Sequence, residues 1–494
     1  MLFTSTAFFY FFFIVTALYF LTPGRFRWVL LLTASTYFYV SWEPLYIIVL
    51  LVSILVDYYC GLRISQTKSR LEKRYFFILS LFINLGFLFL FKYLDFFNLS
   101  LKTLLNQINV FYDQPLIHLV APLGISYFTL KKLSYMIDVY RGNQMPAKHL
   151  GKFALYVSFF PTITAGPIDR VGRLLPQLDI MHRFDPTRVI NGVKLIVWGM
   201  FKKVVIADRL AVFVSLVYDN PHMHQGTTLL LATVFFSIQI YADFSGYSDM
   251  AIGLAQVFGV ELADNFNRPY FATSITEFWK RWHISLTSWL RDYLFLPCAY
   301  AISRRIKRDW LLKIKAESWA YALGMLTTML LCGLWHGANW TFIMWGGLHA
   351  LYLILSFMTR KTRKKWRKKI NGAPIYLKTV LHGLSILFTF CGVSFIWIFF
   401  RANSLSDAVY IVTHLTGTST TFATVFNNSG FEFPIVLAAI GFMLLLHLVQ
   451  PHAGMRELLA KKPLIFRWIV YILLLLAIIN LGNYDETPFI YLQF

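Results

Sequence analysis

Residues 332–350 read CGLWHGANWTFIMWGGLHA and place His336 inside a run that is otherwise apolar enough to enter a bilayer. Hydrocarbon tolerates an ionisable side chain poorly, so a histidine at this depth needs protein or water around it. Gly333 and Gly337 bracket Trp335 and His336 and let another backbone or a ligand approach closely. Asn339 adds a polar group one turn along. The pattern predicts a protein-lined cavity within a membrane bundle. An imidazole there can take a proton from a hydroxyl at neutral pH. The plainer alternative is a core histidine bonded to a carbonyl. His349, at the far end of the stretch, reads as a packing residue on the lipid side.

Composition agrees with a membrane setting. Of 494 residues, 57% are hydrophobic and only 14% are charged, with mean hydropathy +0.58. Soluble domains carry nearer a quarter charged residues, so the class is a polytopic membrane protein. Residues 5–22 (STAFFYFFFIVTALYFLT) lack a basic leader and a small-residue cleavage site, and read as a retained first span. The net charge of +22 would suggest nucleic acid in a soluble protein. Here the basic residues cluster in short loops, where they set topology and meet anionic membrane lipids, and a nucleic-acid role is excluded. Cys60, Cys298, Cys332 and Cys391 show no close pairing and lie in or beside apolar segments, which fits small buried residues.

Apolar runs at 5–22, 28–42, 44–60, 75–94, 190–218, 227–258, 317–334, 338–358, 376–400, 433–450 and 468–483 are span candidates. With weaker segments at 118–140 and 153–168, about 11 to 13 membrane segments are expected. Those two are broken by Pro122, Gly124, Pro161 and Gly166, and such breaks survive only where protein or a wet cavity satisfies the freed backbone. The densest basic loops are 63–74, 303–308 and 360–369, with a weaker pair at 461–462. The positive-inside rule turns them to the cytoplasm and both termini to the outside.

Polar constellations sit within these spans. In 274–297, SITEFWKRWHISLTSWLRDYLFLP, Ser274 and Glu277 form a capping box that starts a helix, expected to stop near Pro297. It reads as an interfacial helix with tryptophans at headgroup depth. His283 shares a stripe with Trp279, Leu286 and Leu290, and spacing leaves a structural role open beside a functional one. In 239–253, QIYADFSGYSDMAIG, residues Ala242, Gly246 and Gly253 offer a small face for helix packing. Asp243 and Asp249 would each cost about 3 kcal/mol in lipid, so they must face protein, a cation or water. Either they order the bundle by pairing or they line a tunnel. DNFNRPYF, 264–271, supplies Arg268 as a partner for a carboxylate or phosphate. No metal site is expected: His222 and His224 in NPHMHQG have no ligand neighbours in sequence. Phosphate-binding glycine loops, GxSxG and HExxH are absent.

Taken together, PLGISYFT, SYMIDVYRG, FFPTITAGPIDR, FKKVVIADRLA, QIYADFSGYSDMAIG, DNFNRPY, SITEFWKRWHISLTSWLRDYLF, GLWHGANWTFIMWGGLH and PFIYLQF resemble the membrane-bound O-acyltransferase family, in its bacterial alginate O-acetylase-like branch. The match runs in family order from about residue 120 to the end. It implies an all-α ring of tilted transmembrane and re-entrant helices around a central funnel or tunnel. One acyltransferase domain would cover residues 1–494, with N-terminal spans (1–115), a catalytic core (116–360) and C-terminal spans with an extracytoplasmic tail (361–494). The resemblance puts the family's near-invariant histidine on His336 and its second histidine on His283. The donor would be acetyl-CoA entering from the cytoplasm, used as a substrate with no bound cofactor. The protein would sit in the bacterial inner membrane. Its acceptor would be an exported glycan, reached through an extracytoplasmic hydrolase-like acetyltransferase partner.

Two departures concern the pathway. LPCAYAISRRIKR stands where a glycine-rich turn is usual, and Lys131 and Lys132 stand where an aromatic and a glutamine are common. On this reading His336 is the general base, His283 orients or relays at the donor side, and Trp335 and Asn339 either line the tunnel or serve as structural polar residues. Arg281, Arg291 and Arg268 attract the donor's phosphates. Tyr491 in the closing FIYLQF either anchors the tail or relays the acyl group as a phenyl ester. Competing readings are a D-alanyl transferase fed by a carrier-protein thioester and a flippase or transporter of a lipid-linked or acidic substrate.

Overall fold

The computed structural model of the chain describes residues 1–112, 119–306, 310–311, 314–372, 374–417, 432–449, 462–484 and 489–490. Among them seven helices are long and apolar enough to cross a membrane: Pro44–Gln66, Arg70–Gln107, Thr227–Val257, Ala316–His336, Trp340–Met358, Ile375–Arg401 and Leu464–Leu481. Thr6–Leu21 and Phe433–Val449 are apolar but shorter. The strands among the described residues are one antiparallel pair, Trp310–Leu311 with Ile314–Lys315. The chain is an all-α polytopic membrane protein.

Local chemistry sets the helix ends. Ser5 accepts from the Phe8 amide, and Ser69 accepts from the Glu72 amide, each satisfying an orphan donor of the first turn. The span expected at 190–218 is helical from Pro186 to Met200 and from Asp208 to Tyr218, but Phe201–Ala207 between them is a π-turn. The bulge carries Lys202 and Lys203 inward, and both are buried.

Two compact units divide the chain. The first comprises 1–200, 247–263 and 488–494; the second comprises 201–246 and 264–487. In the first, the broken segments behave as backbone breaks in a membrane protein must. Gly124 adopts φ 66° and leads into Ile125–Arg141. After Leu150–Ser158 the chain leaves helical geometry, and residues 159–169 are buried throughout, so protein replaces water around the freed backbone. Gly253 packs on Gly192 so closely that a Cβ would lie 2.6 Å from the Gly192 carbonyl, which bears out close packing at that one member of the expected small-residue face.

Buried charge in the first unit is held by its own partners. Asp57 accepts from Ser80 Oγ at 2.5 Å and from Asn84 Nδ2 at 2.8 and 2.9 Å, and Lys132 Nζ lies 3.7 Å away. Asp57 and Lys132 are fully enclosed. Lys131 Nζ donates to Thr162 Oγ1 at 2.6 Å and to the Tyr156 carbonyl at 3.3 Å, bracing the non-helical segment. The lysines that depart from the family pattern are thus structural cations.

In the second unit Lys203 lies between Asp208 at 2.8 Å and Asp243 at 2.9 Å, and Lys202 donates to Ser245 Oγ at 2.9 Å. Asp243 therefore serves pairing within the bundle. Asp249, further along Thr227–Val257, is half-buried and falls in the first unit.

Removing one partner of an enclosed ion pair strands the other charge. Lys132→Met should destabilise the protein by about 3–5 kcal/mol, and adding Asp57→Leu should restore much of the loss. Thermal unfolding of the purified variants in one detergent checks both.

Candidate active site

The segment expected to be one interfacial helix is broken. Ser274 accepts from the Glu277 amide at 3.3 Å and starts Ile275–Arg281 as the capping box requires. Glu277 reaches back to Thr273 rather than to Ser274, accepting from its amide at 2.8 Å and its hydroxyl at 2.7 Å. Partial burial pushes the Glu277 carboxyl up, but these bonds and Arg281 at 2.5 Å outweigh it and hold it below its ordinary value. Trp282 then turns extended, His283 adopts φ 42°, and helix resumes at Ile284–Leu290. A π-turn, Arg291–Phe295, carries the chain into Leu296–Arg305, so Pro297 opens a helix instead of closing one. Trp279, Trp282 and Trp289 are buried in protein.

Asn265 causes the break. Its Oδ1 accepts from the Ser285 amide at 3.2 Å and from Ser285 Oγ at 2.9 Å, and its carbonyl accepts from the Ile284 amide at 2.9 Å. His283 Nδ1 lies 3.0 Å from the same Oδ1. The backbone donor identifies that atom as oxygen, so Nδ1 carries the proton and Nε2 the basic lone pair. Phe244 meets the fully buried imidazole edge-on at 4.6 Å.

His336 ends Ala316–His336, and Gly337 turns extended after it. A Cβ at Gly333 would lie 2.2 Å from the Phe342 carbonyl, and one at Gly337 would lie 2.1 Å from the Phe342 ring. The two glycines thus admit the start of Trp340–Met358 against the helix end. His336 is 4% exposed and is boxed by Trp335, Trp345 and Phe400, with ring centroids 4.9, 5.0 and 5.3 Å away. Trp335 also approaches His283 at 6.4 Å. The second unit therefore joins both candidate histidines through one indole.

The aromatic run continues. Trp345 contacts His349 at 4.8 Å, and Trp279 contacts His349 at 5.0 Å. His349 is fully buried, which overturns its lipid-side reading, and neither ring nitrogen has a hydrogen-bond partner among the described residues. Its near-perpendicular neighbours offer π faces in place of conventional acceptors.

The other candidates separate. Asn339 caps Trp340–Met358, accepting from the Thr341 amide at 3.0 Å and donating to the Asn403 carbonyl at 3.0 Å, so its role is local. Arg268 and Arg281 come together: Arg281 donates to the Arg268 carbonyl at 3.4 Å, while Arg268 donates to the His447 carbonyl at 3.1 Å. Arg291 is largely exposed and pairs with Asp292 at 2.8 Å. Tyr491 lies outside the described residues. His222 finds a carboxylate that sequence spacing does not reveal, Asp407 at 3.2 Å. Among the described residues no three histidine, cysteine or acidic side chains gather as a metal site.

Residues 147–394 match the model of MBOAT, the membrane-bound O-acyltransferase family. The chain belongs to this family. It is 37% identical over 413 residues to the probable alginate O-acetylase AlgI of Azotobacter vinelandii, covering 83% of this chain and 76% of the relative. It is 33% identical over 416 residues to the peptidoglycan O-acetyltransferase of Helicobacter pylori, covering 78% and 73%. It is 29% identical over 278 residues to the teichoic acid D-alanyltransferase of Bacillus subtilis, covering 55% and 67%. Membership makes the chain an O-acyltransferase and sets aside the transporter reading.

For an O-acyltransferase, the arrangement supplies a water-poor aromatic enclosure and a histidine of defined tautomer. Asn265 and His349 are the polar members that sequence reasoning passed over. DNFNRP marks a polar turn, but the partner of Asn265 lies 18 positions away along the chain, and no local period links them.

Because a backbone carbonyl blocks the position, Gly333→Ala should lower the unfolding temperature and the folded yield. Gly383→Ala, where a Cβ meets nothing within 4 Å, should leave both near wild type. Size-exclusion profiles and thermal scans of the two variants test the contrast.

Proposed function

We propose that this chain transfers an acetyl group from cytoplasmic acetyl-CoA toward an exported polysaccharide or cell-wall glycan. The observation that carries the reading is the pair of buried histidines meeting one indole, with His283 locked in its Nδ1–H tautomer by Asn265. The relatives named for acetylation of alginate and of peptidoglycan support an acetyl donor and a glycan acceptor.

A thioester is already activated, so the enzyme's tasks are alignment and proton removal. His336 takes the proton of the acceptor hydroxyl as its oxygen attacks the acetyl carbon. The carbon–sulfur bond then breaks, and the coenzyme A thiolate leaves and recovers a proton from the imidazolium. His283 presents its Nε2 lone pair on the donor side and orients the thioester. Trp335, between the two rings, excludes water from both. The basic segments 63–74 and 360–369 face the cytoplasm and draw in the donor's phosphates, together with Arg268, Arg281 and Arg291. Both termini are then extracytoplasmic, and a hydrolase-like partner receives the acetyl group there. Tyr491 is the proposed relay, holding the acetyl group as a phenyl ester before it passes on.

A second reading keeps the fold and changes the donor. The likeness to the Bacillus subtilis teichoic acid D-alanyltransferase favours a D-alanyl thioester on a carrier protein. Incubating membranes with labelled acetyl-CoA or with a labelled D-alanyl carrier separates the two, since only the true donor releases its thiol.

His336→Ala should lower acetyl transfer by about 10²–10⁴-fold at unchanged expression, and retained turnover would remove the base role. Asn265→Leu should lower kcat about 10²-fold or more, in line with other tautomer-fixing partners. Mass spectrometry of quenched wild-type protein should find acetyl on the peptide containing Tyr491; its absence under trapping conditions ends the relay.

A further inference from the structure

The first unit holds a cavity of about 250 Å³ where the helix Thr6–Leu21 ends and Arg27–Val40 begins. It lies apart in sequence from both histidines and has no part in the proposed transfer. Its walls carry three cations, Arg25, Arg27 and Lys152, against one carboxylate, Asp179. Tyr19 and Trp28 add aromatic surface.

The cations differ in how they are held. Arg27 is fixed: Nε donates to the Thr22 carbonyl at 3.0 Å, the guanidinium also bonds the His182 carbonyl, and it sits 4.8 Å over the Tyr19 ring. Lys152 pairs with Asp179 at 2.5 Å, but both remain accessible at 31% and 48%. Arg25 is exposed, lies over the Phe26 ring at 4.7 Å and makes no ion pair among the described residues. Arg188 adds its field at Tyr19, and its buried Nε has no hydrogen-bond partner among the described residues. The cavity is therefore short of negative charge.

Its rim has the opposite character. Ile180 and Met181 line the opening and are 56% and 66% exposed, and Leu21 beside it is 80% exposed. Phe184 closes on Phe20 at 5.0 Å and still leaves most of its surface uncovered. A basic interior inside an apolar, outward-facing rim matches an amphiphile with an anionic head. A free phosphate would satisfy the floor and gain nothing from the rim.

We infer that this pocket seats the phosphodiester headgroup of an anionic phospholipid, with Arg25 and Lys152 as adjustable contacts and Arg27 as the fixed one. Trp28 lines the same cavity, and its amphipathic indole suits a boundary between headgroup and acyl chain. The acyl chains run over Leu21, Ile180, Met181 and Phe184.

Native mass spectrometry of the full-length protein, titrated with phosphatidylglycerol or phosphatidylcholine, tests this. Phosphatidylglycerol should be retained at least tenfold better, and Arg25→Gln combined with Lys152→Gln should remove that preference. Lys280→Gln, a neutralisation at an exposed helix position of the second unit, should keep it. A wild-type measurement guards against a misfolded variant: phosphatidylglycerol carrying a photoreactive headgroup should crosslink to peptides covering 19–28 and 177–184. Equal retention of the two lipids, crosslinks confined elsewhere, or displacement of bound lipid by inorganic phosphate or coenzyme A at matched concentration would each overturn the proposal.

Discussion

Lys203 held between Asp208 and Asp243 shows the constraint on which the rest of the second unit depends. A charge that leaves water must bring its own solvent, and inside a bundle that solvent is other side chains. An unbroken α-helix through 186–218 would distribute Lys202 and Lys203 around its circumference. The π-turn at Phe201–Ala207 shifts the register by one residue, so both ammonium groups find oxygen partners. Nearby backbone follows the same logic: the Val204 carbonyl, within the π-turn, accepts from the Asn483 amide at 2.9 Å.

The histidines obey a different rule. They are surrounded by rings, not by charges, and are placed by backbone. Gly333 and Gly337 let Phe342 close on His336, while Asn265 draws Ser285 and Ile284 toward itself and forces His283 into a left-handed conformation. A residue held that way has little freedom to swing, which suits a group that must present one nitrogen in one direction. Tryptophan is the common neighbour in this region, stiff and large enough to exclude water.

Much of this was legible from residue order, and the exceptions share a cause. Apolar period and length located several spans to within a few residues, as in 338–358 against Trp340–Met358 and 376–400 against Ile375–Arg401. The run 75–94, however, extends to Arg70–Gln107. Seven helices among the described residues are long and apolar enough to cross, fewer than the about 11 to 13 segments expected. GLWHGANW revealed an enclosed histidine because an ionisable group in an apolar run must be covered by protein, and the flanking glycines make room for that cover. The helix break at His283 was not legible, since it depends on Asn265 in a separate loop. His349 reads from sequence as a lipid-side packing residue, yet it is fully buried, because an apolar helix is covered by protein wherever the bundle closes around it. Lys131 and Lys132 looked like departures from a pattern; Asp57, in a different span, accounts for one of them, and Thr162 for the other.

That last pairing has a bearing on how the protein is made. The helix Ile125–Arg141 carries two lysines near its middle, and each costs about 2.5–3.5 kcal/mol to place in hydrocarbon alone. It cannot settle in the membrane as an independent span. Pro44–Gln66, which carries Asp57, leaves the ribosome first, and until a lysine arrives its carboxylate has only the neutral donors Ser80 and Asn84. The later helix enters against it, each charge lowering the other's entry cost. The enclosed Lys132–Asp57 pair thereby ties the placement of the later helix to that of the earlier one.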